Sequence, residues 1–472
     1  MIRYLLAAVP RRFLLKAMTS KTGKRTLMRR EMQTTAVLAA PLVLGHVSSG
    51  LIGFVDSALA GHHGTDTLAG VSVGNALYWL PMMVPMGVLM ALPPFVSELD
   101  GAGKRNEVPA LFRQSLWLAL GLGIVLFAVL SGWRYLLGPM GIDAHVIPHA
   151  QAFVDGIRWG IPAFTFYLCM RYLSDGLHWT LPTMVLGFGG LLLLVPLGYA
   201  MAFGAGGFPP MGAFGLGAAS AIMLWTQAIC FALYLWRSKR FADLALFSRI
   251  DAPNKAILVK LLKTGLPIGG MVAMEGGLFI TTSLLMGRLG ATPAAAHQIA
   301  INVASLCFMI PMGIAEATTV RVGHALGQAN SGKLRRAVVA GYTLLLLTQT
   351  ISAALLIAGN TWVAGIYTND TVVATLASQL LILAAIFQLP DGVQVISAGA
   401  LRGLKDTRVP MLLAAFAYWG IGMPVGAGLG LLAGYGPAGM WVGLTAGLTV
   451  AAVCLSWRAM RTIRKLEIQQ GG

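Results

Sequence analysis

Three carboxylates lie within stretches otherwise suited to lipid: Asp56 in "GLIGFVDSALAG" (50–61), Glu275 in "GGMVAMEGGLFITT", and Asp391 in "FQLPDGVQVISAGALRG". None has a Lys or Arg close in sequence. An unpaired carboxylate at the centre of a bilayer costs about 3 kcal/mol or more. Such a group is either protonated, because desolvation disfavours its charge, or it holds a cation. Glu275 and Asp391 fall near the middle of their apolar segments, so each is a natural exchanger between proton, metal ion and cationic substrate. For Asp56, one turn from Gly61, access to interfacial water is an equal reading. Glu316 and Asp175 are secondary candidates, expected at the inner ends of their segments. Asp155 and Arg158, one turn apart, are expected to pair.

Other chemistries find no support. "GVSVG" (70–74) fits a nucleophile-elbow pattern but falls in an apolar helical stretch rather than at a strand–turn–helix. The sequence contains no HExxH and no GxxxxGK[ST] phosphate loop. Cys169, Cys230, Cys307 and Cys454 lack paired or metal-like spacing. His62, His63 and His297 read as interfacial histidines. The expectation is therefore a non-enzyme without a cofactor, driven by an ion gradient or running passively. Met82, Met83, Met86 and Met90, with Tyr78, Trp79 and Phe95, offer soft and aromatic surfaces suited to varied cationic, apolar ligands. Tyr78, Trp79, Met86 and Phe387 are the cavity candidates.

The elements that carry these residues follow from composition. Of 472 residues, 57% are hydrophobic and 11% charged, with mean hydropathy +0.74, the balance of a polytopic membrane protein. Twelve apolar segments reach spanning length: 35–60, 67–97, 111–131, 150–173, 182–203, 213–236, 261–287, 293–320, 336–358, 372–401, 409–432 and 437–457. With alternating topology, all of the 34 Lys and Arg residues except Arg134, Arg158 and Arg288 fall on one side. The positive-inside rule makes that side cytoplasmic and places both termini there. The net charge of +17 thus reports topology and affinity for membrane lipids, not nucleic acid. No Lys or Arg is expected mid-span. Pro41, Pro81, Pro85, Pro162, Pro267, Pro311 and Pro390 should bend their segments.

Sliding the chain by 226 residues superposes Pro41 on Pro267, Gly61 on Gly287, Gly64 on Gly290, "VPMG" (84–87) on "IPMG" (310–313), and Gly101 on Gly327. Six spans per unit implies two parallel six-helix lobes related by a pseudo-two-fold axis along the membrane normal. The expected organisation is a basic cytoplasmic tail (1–30), an N-lobe (31–236), a cytoplasmic linker (237–260), a C-lobe (261–460) and a second tail (461–472). The fold class is all-α with twelve transmembrane helices. The position equivalent to Asp56 is Thr282, so that acid belongs to one lobe only.

"GFVDSALAGHHGTDTLAGVSVGNALYWLP", "LMALPPFVSELDGAGKRNEVP", "MRYLSDGLHWTLPTMV" and "LPDGVQVISAGALRGLKDTRVPM" closely resemble the multidrug and toxic compound extrusion (MATE) family in its bacterial NorM branch. The resemblance runs from about residue 31 to 460. It implies two lobes around a V-shaped cavity, and export of organic cations from a bacterial inner membrane in exchange for H+ or Na+. A lipid-linked-substrate flippase of the same superfamily is the alternative, disfavoured by the lack of mid-span cations. By motif, Asp56 matches the helix-1 aspartate, Glu275 and Asp391 the acidic pair of the C-lobe cation site (the metal ligands if Na+ is the coupling ion), and Asp175 a further acid. The family's N-x-P-x-N pattern in helix 5 is absent: Leu194 and Gly198 flank Pro196. That favours a proton over a metal ion at Asp56. A monomer is expected.

Overall fold

The computed structural model describes residues 21–133 and 143–471, with side chains from Thr26 to Gln470. Residues 1–20 of the expected tail, and Arg134, lie outside the described residues. Every regular element among the described residues is helical, as a hydrocarbon solvent demands of backbone that must satisfy its own polar groups.

The first half contains α1 (Lys21–His63), α2 (Thr65–Leu89), α3 (Leu92–Gly101), α4 (Val108–Gly132), α5 (Ile147–Ile157), α6 (Ile161–Gly176), α7 (Leu181–Phe203) and α8 (Gly212–Arg237). The second contains α9 (Lys255–Arg288), α10 (Ala291–Gly327), α11 (Ser331–Tyr367), α12 (Thr371–Gly403), α13 (Arg408–Ala415), α14 (Met423–Ala427) and α15 (Gly436–Gly471). Among the described residues, eleven helical segments are long and apolar enough to cross a membrane. The fourth segment of the sequence reading is the one not counted. Asp155, Arg158, Arg171 and Asp175 lower its apolar content, and a 3₁₀ turn at Arg158–Gly160 interrupts it between α5 and α6.

Pro162 therefore does not bend a helix; it sits in the first turn of α6, where its missing N–H costs nothing. Pro41, Pro81, Pro85, Pro267, Pro311 and Pro390 do lie inside helices. Two π-helical stretches, Phe416–Gly422 and Gly428–Leu432, flank α14. Such wide turns locally rotate side chains out of the ordinary helical register.

Each half builds its own packed interior, one around Phe112, Tyr167 and Phe231, the other around Phe387, Tyr418 and Trp441. Leu38, Ala39 and Leu42 of α1 pack against Ile314, Ala315 and Val320 of α10, joining the halves. The repeat reappears as reciprocal contacts. A Cβ at Gly101 would run into the His324 carbonyl, and one at Gly327 into the Glu98 carbonyl. Both pairs are related by the same 226-residue offset. In lipid, association depends on close backbone approach rather than hydrophobic drive, and glycine permits it at this crossing of α3 and α10. The seam lies at the basic end of the bundle, where α3 leads to Arg105 and α10 carries Arg321.

Candidate functional site: buried acids along two abutting cavities

Glu275 on α9 and Asp391 on α12 are brought together by a residue that the sequence reading passed over. Gln394, one turn beyond Asp391, donates its Nε2 to Glu275 Oε1 at 2.9 Å and makes a longer contact of 3.5 Å with Asp391 Oδ1. Tyr418, in the first π-helical stretch, donates its hydroxyl to Gln394 Oε1 at 2.9 Å. With its oxygen so engaged, the amide presents its N–H donors, not its acceptor, to the two carboxylates. Asp391, Gln394 and Tyr418 are at most 4% exposed. A buried amide in this position contributes only when fully satisfied, so the tyrosine orients what the acids receive. The spacing of Gln394 to Asp391 was visible in sequence; the approach of Tyr418 was not.

Glu275 and Asp391 line a cavity of about 360 Å³ together with Trp79, Met86, Phe279 and Phe387. A second cavity of about 390 Å³ is lined by Asp56, His46, Asn75, Tyr78 and Ser220. Trp79, Ser305, Phe308 and Met312 belong to both walls, so the two abut. All four cavity candidates face one or the other. Their methionine and aromatic lining is adaptable and accommodates cations on ring faces.

Asp56 is 2% exposed and lies on the wall of this second cavity. Ser220 on α8 donates from 3.3 to 3.4 Å to its two oxygens. Helix α7 supplies no polar partner at Leu194 or Gly198, as the sequence indicated; the hydroxyl comes from the next helix instead.

Asp175 and Glu316 meet in a third cluster. Arg171 Nη2 lies 3.0 Å from Glu316 Oε2 and Arg171 Nε 3.3 Å from Asp175 Oδ2. Thr183 donates to Asp175 Oδ1 at 2.9 Å, and His46 Nε2 stands 3.1 Å from Glu316 Oε2. Arg171 and Asp175 are one helical turn apart on α6, whereas Glu316 comes from α10 in the other half. Two basic side chains near the ends of their segments matter all the same: Arg171 is buried at 6% exposure, and Arg402 on α12 lines the Glu275 cavity. Hydropathy reading missed both because each lies near a segment's end. His297 is corrected. It is 1% exposed, bonds Ser283 at 3.0 Å and packs on Trp441 rather than sitting at an interface. Asp155 and Arg158 do pair, at 2.9 Å.

Among the described residues, no group of three or more His, Cys, Asp or Glu side chains is placed to hold a metal ion. An ion at the second-half acids would draw on Glu275 and Asp391 beside an amide whose donors face the same space.

The MatE family profile matches residues 41–200 and 267–427, one block in each half. The chain is 62% identical over 436 residues to a protein named "Probable multidrug resistance protein NorM" from Xanthomonas campestris pv. campestris, covering 92% of this chain and 95% of that one. It is 39% identical to "Multidrug resistance protein PmpM" of Pseudomonas aeruginosa, covering 93% of each. In fold it is similar to the eukaryotic MATE transporter AtDTX14, with a TM-score of 0.85 at 18% identity over 94% of this chain and 99% of that one. A MATE structure in a straight conformation gives a TM-score of 0.85 at 19% identity, over 93% and 97% of the two chains. With both halves matched by the profile and close relatives spanning nearly its whole length, this chain belongs to the MATE family and is NorM-like within it.

Proposed function

We propose that this chain is a secondary multidrug exporter of the bacterial inner membrane. It antiports organic cations by alternating access between two six-helix lobes, with both termini cytoplasmic. The observation that carries the reading is the placement of Asp56, Glu275 and Asp391 along two abutting cavities lined by methionine and aromatic side chains. A carboxylate in such a place is satisfied in turn by an ion or by a cationic ligand, which is the exchange an antiporter needs. The names of the NorM and PmpM relatives support export of drugs. No covalent step is invoked, and the protein works as a monomer.

The orientation of Gln394 favours H+ over Na+ as the coupling ion. Its N–H donors face Glu275 and Asp391, and a donor there opposes a metal ion while tolerating a carboxyl that gains and loses a proton. Contact of the lobes at the basic end corresponds to a state closed toward the cytoplasm. The test is drug efflux from proteoliposomes with each gradient imposed alone. A pH gradient should drive export and a sodium gradient at uniform pH should not; the reverse result assigns Na+, and export under neither removes the antiport reading.

Arg402 on the wall of the Glu275 cavity is the one observation that favours a flippase for phosphate-bearing lipids. It shares that wall with Glu275, Glu316, Asp391 and Asp406, so the cavity's acids outnumber its cation. Transbilayer movement of a labelled lipid-linked phosphate, measured in the same vesicles, separates the two readings.

A further inference from the structure

At the basic end of the bundle, away from the acids, a pocket of about 430 Å³ is lined by Phe95, Ala256, Val259, Lys260, Lys263, Thr264 and Lys405. Its parts come from three elements: Phe95 from α3, residues 256–264 from the first turns of α9, and Lys405 from the turn between α12 and α13. The Nζ atoms of Lys260 and Lys405 stand 4.9 and 5.1 Å from the centre of the same Phe95 ring. Lys405 is held there by left-handed backbone, φ 59°, a conformation uncommon for a side chain of this kind. Among the described residues, the carboxylate drawn to these lysines is Glu98, which pairs with Lys405. Two ammonium groups thus share one ring, Lys263 lines the same pocket, and Glu98 pairs with one of the three lysines. Three lysines on one pocket wall against a single carboxylate leave a net positive charge that a bound anion would offset.

We infer that this pocket binds the phosphate of an anionic phospholipid. A free phosphate would use only the lysines and Thr264. The wall also contains Phe95, Ala256 and Val259, and Leu266, one turn beyond Lys263 on the same helix, is 52% exposed. The surface therefore runs from basic at the helix end to apolar along the span, which matches a headgroup followed by acyl chains. Phe95 and Glu98 belong to the first half and the three lysines to the second, so a bound headgroup ties the halves together at their seam.

The test uses the full chain in nanodiscs of phosphatidylcholine, alone or doped with phosphatidylglycerol, with retained lipid read by native mass spectrometry after release into detergent. Wild type should retain phosphatidylglycerol about 25-fold more than Lys260→Gln/Lys263→Gln, the size expected for losing two interfacial cations. Lys260→Arg/Lys263→Arg should retain it as wild type does, which separates charge from a general loss of fold. Inorganic phosphate at equal concentration should not displace the lipid. Equal retention by wild type and the Gln variant overturns the site. Displacement by inorganic phosphate overturns the assignment to lipid. Since the readout is binding, the outcome is independent of which ion drives export.

Discussion

Arg171 and Glu316 form an ion pair of 3.0 Å that crosses from one half of the chain to the other. Both side chains are largely removed from solvent, and each has a second partner, Asp175 for the arginine and His46 for the glutamate. Taking away one member of a buried pair strands the other charge, at a cost of about 3–5 kcal/mol. Arg171→Met and Glu316→Gln should each lower the thermal unfolding midpoint sharply, and the double variant should lose less than the two added together. Additive losses in that double-mutant cycle would mean the pair does not couple the halves.

The acid cluster of the second half should be sensitive at both carboxylates. Glu275→Gln and Asp391→Asn should each reduce gradient-driven drug efflux at least tenfold while leaving the protein folded. Full ion-coupled export by either variant would sink its assigned role.

Tyr418→Phe tests the orientation of Gln394 specifically. Without the tyrosine hydroxyl, the amide loses the bond that holds its oxygen away from the carboxylates. Loss of one such bond costs about 1 kcal/mol, and the amide is then free to turn an acceptor toward the site. Efflux driven by a sodium gradient should rise relative to efflux driven by a pH gradient. An unchanged ratio would show that Tyr418 does not govern ion choice.

Gly101 and Gly327 face each other's helices across the seam, with no room for a Cβ at either. Gly101→Val or Gly327→Val should wedge α3 from α10, costing about 1–3 kcal/mol by overpacking. Cysteine accessibility from the basic side should rise in both variants. If labelling stayed at the wild-type level, this crossing would not be what seals that end.

His178 lies in the turn after α6 with left-handed backbone, φ 61°, and its ring meets that of His324 at 4.8 Å. Burial pushes its pKa from 6.5 down to about 4; the nearby His324, Arg321 and Arg240 act in the same direction, and Asp100 opposes them. The folded protein therefore binds this proton less readily than the unfolded chain does. Stability is complete above about pH 6.5 and falls as pH drops toward 4, by on the order of 2–3 kcal/mol. Thermal unfolding followed between pH 7.5 and about 4.5 should show a steeper acid loss for wild type than for His178→Asn, which keeps the left-handed turn accessible and removes the titration. Parallel curves would refute the contribution.

What the sequence could specify was what depends on local composition and spacing. Long apolar runs point to membrane helices, because lipid penalises every unsatisfied polar group residue by residue. The same penalty singled out Asp56, Glu275 and Asp391, which line the cavities. The Gly and Pro matches at an offset of 226 anticipated the reciprocal crossing of Gly101 and Gly327.

Only the tertiary structure decided what each acid touches. Ser220 reaches Asp56 from 164 residues away, and Tyr418 turns Gln394 through a π-helical stretch that no hydropathy pattern reveals. Arg171 lies near the end of an apolar run in sequence, and becomes a buried bridge only because α6 and α10 meet. Hydrophobic periodicity records whether a side chain faces lipid or protein. A hydrogen bond or ion pair depends on angstrom-scale approach between distant helices, and that is fixed by packing.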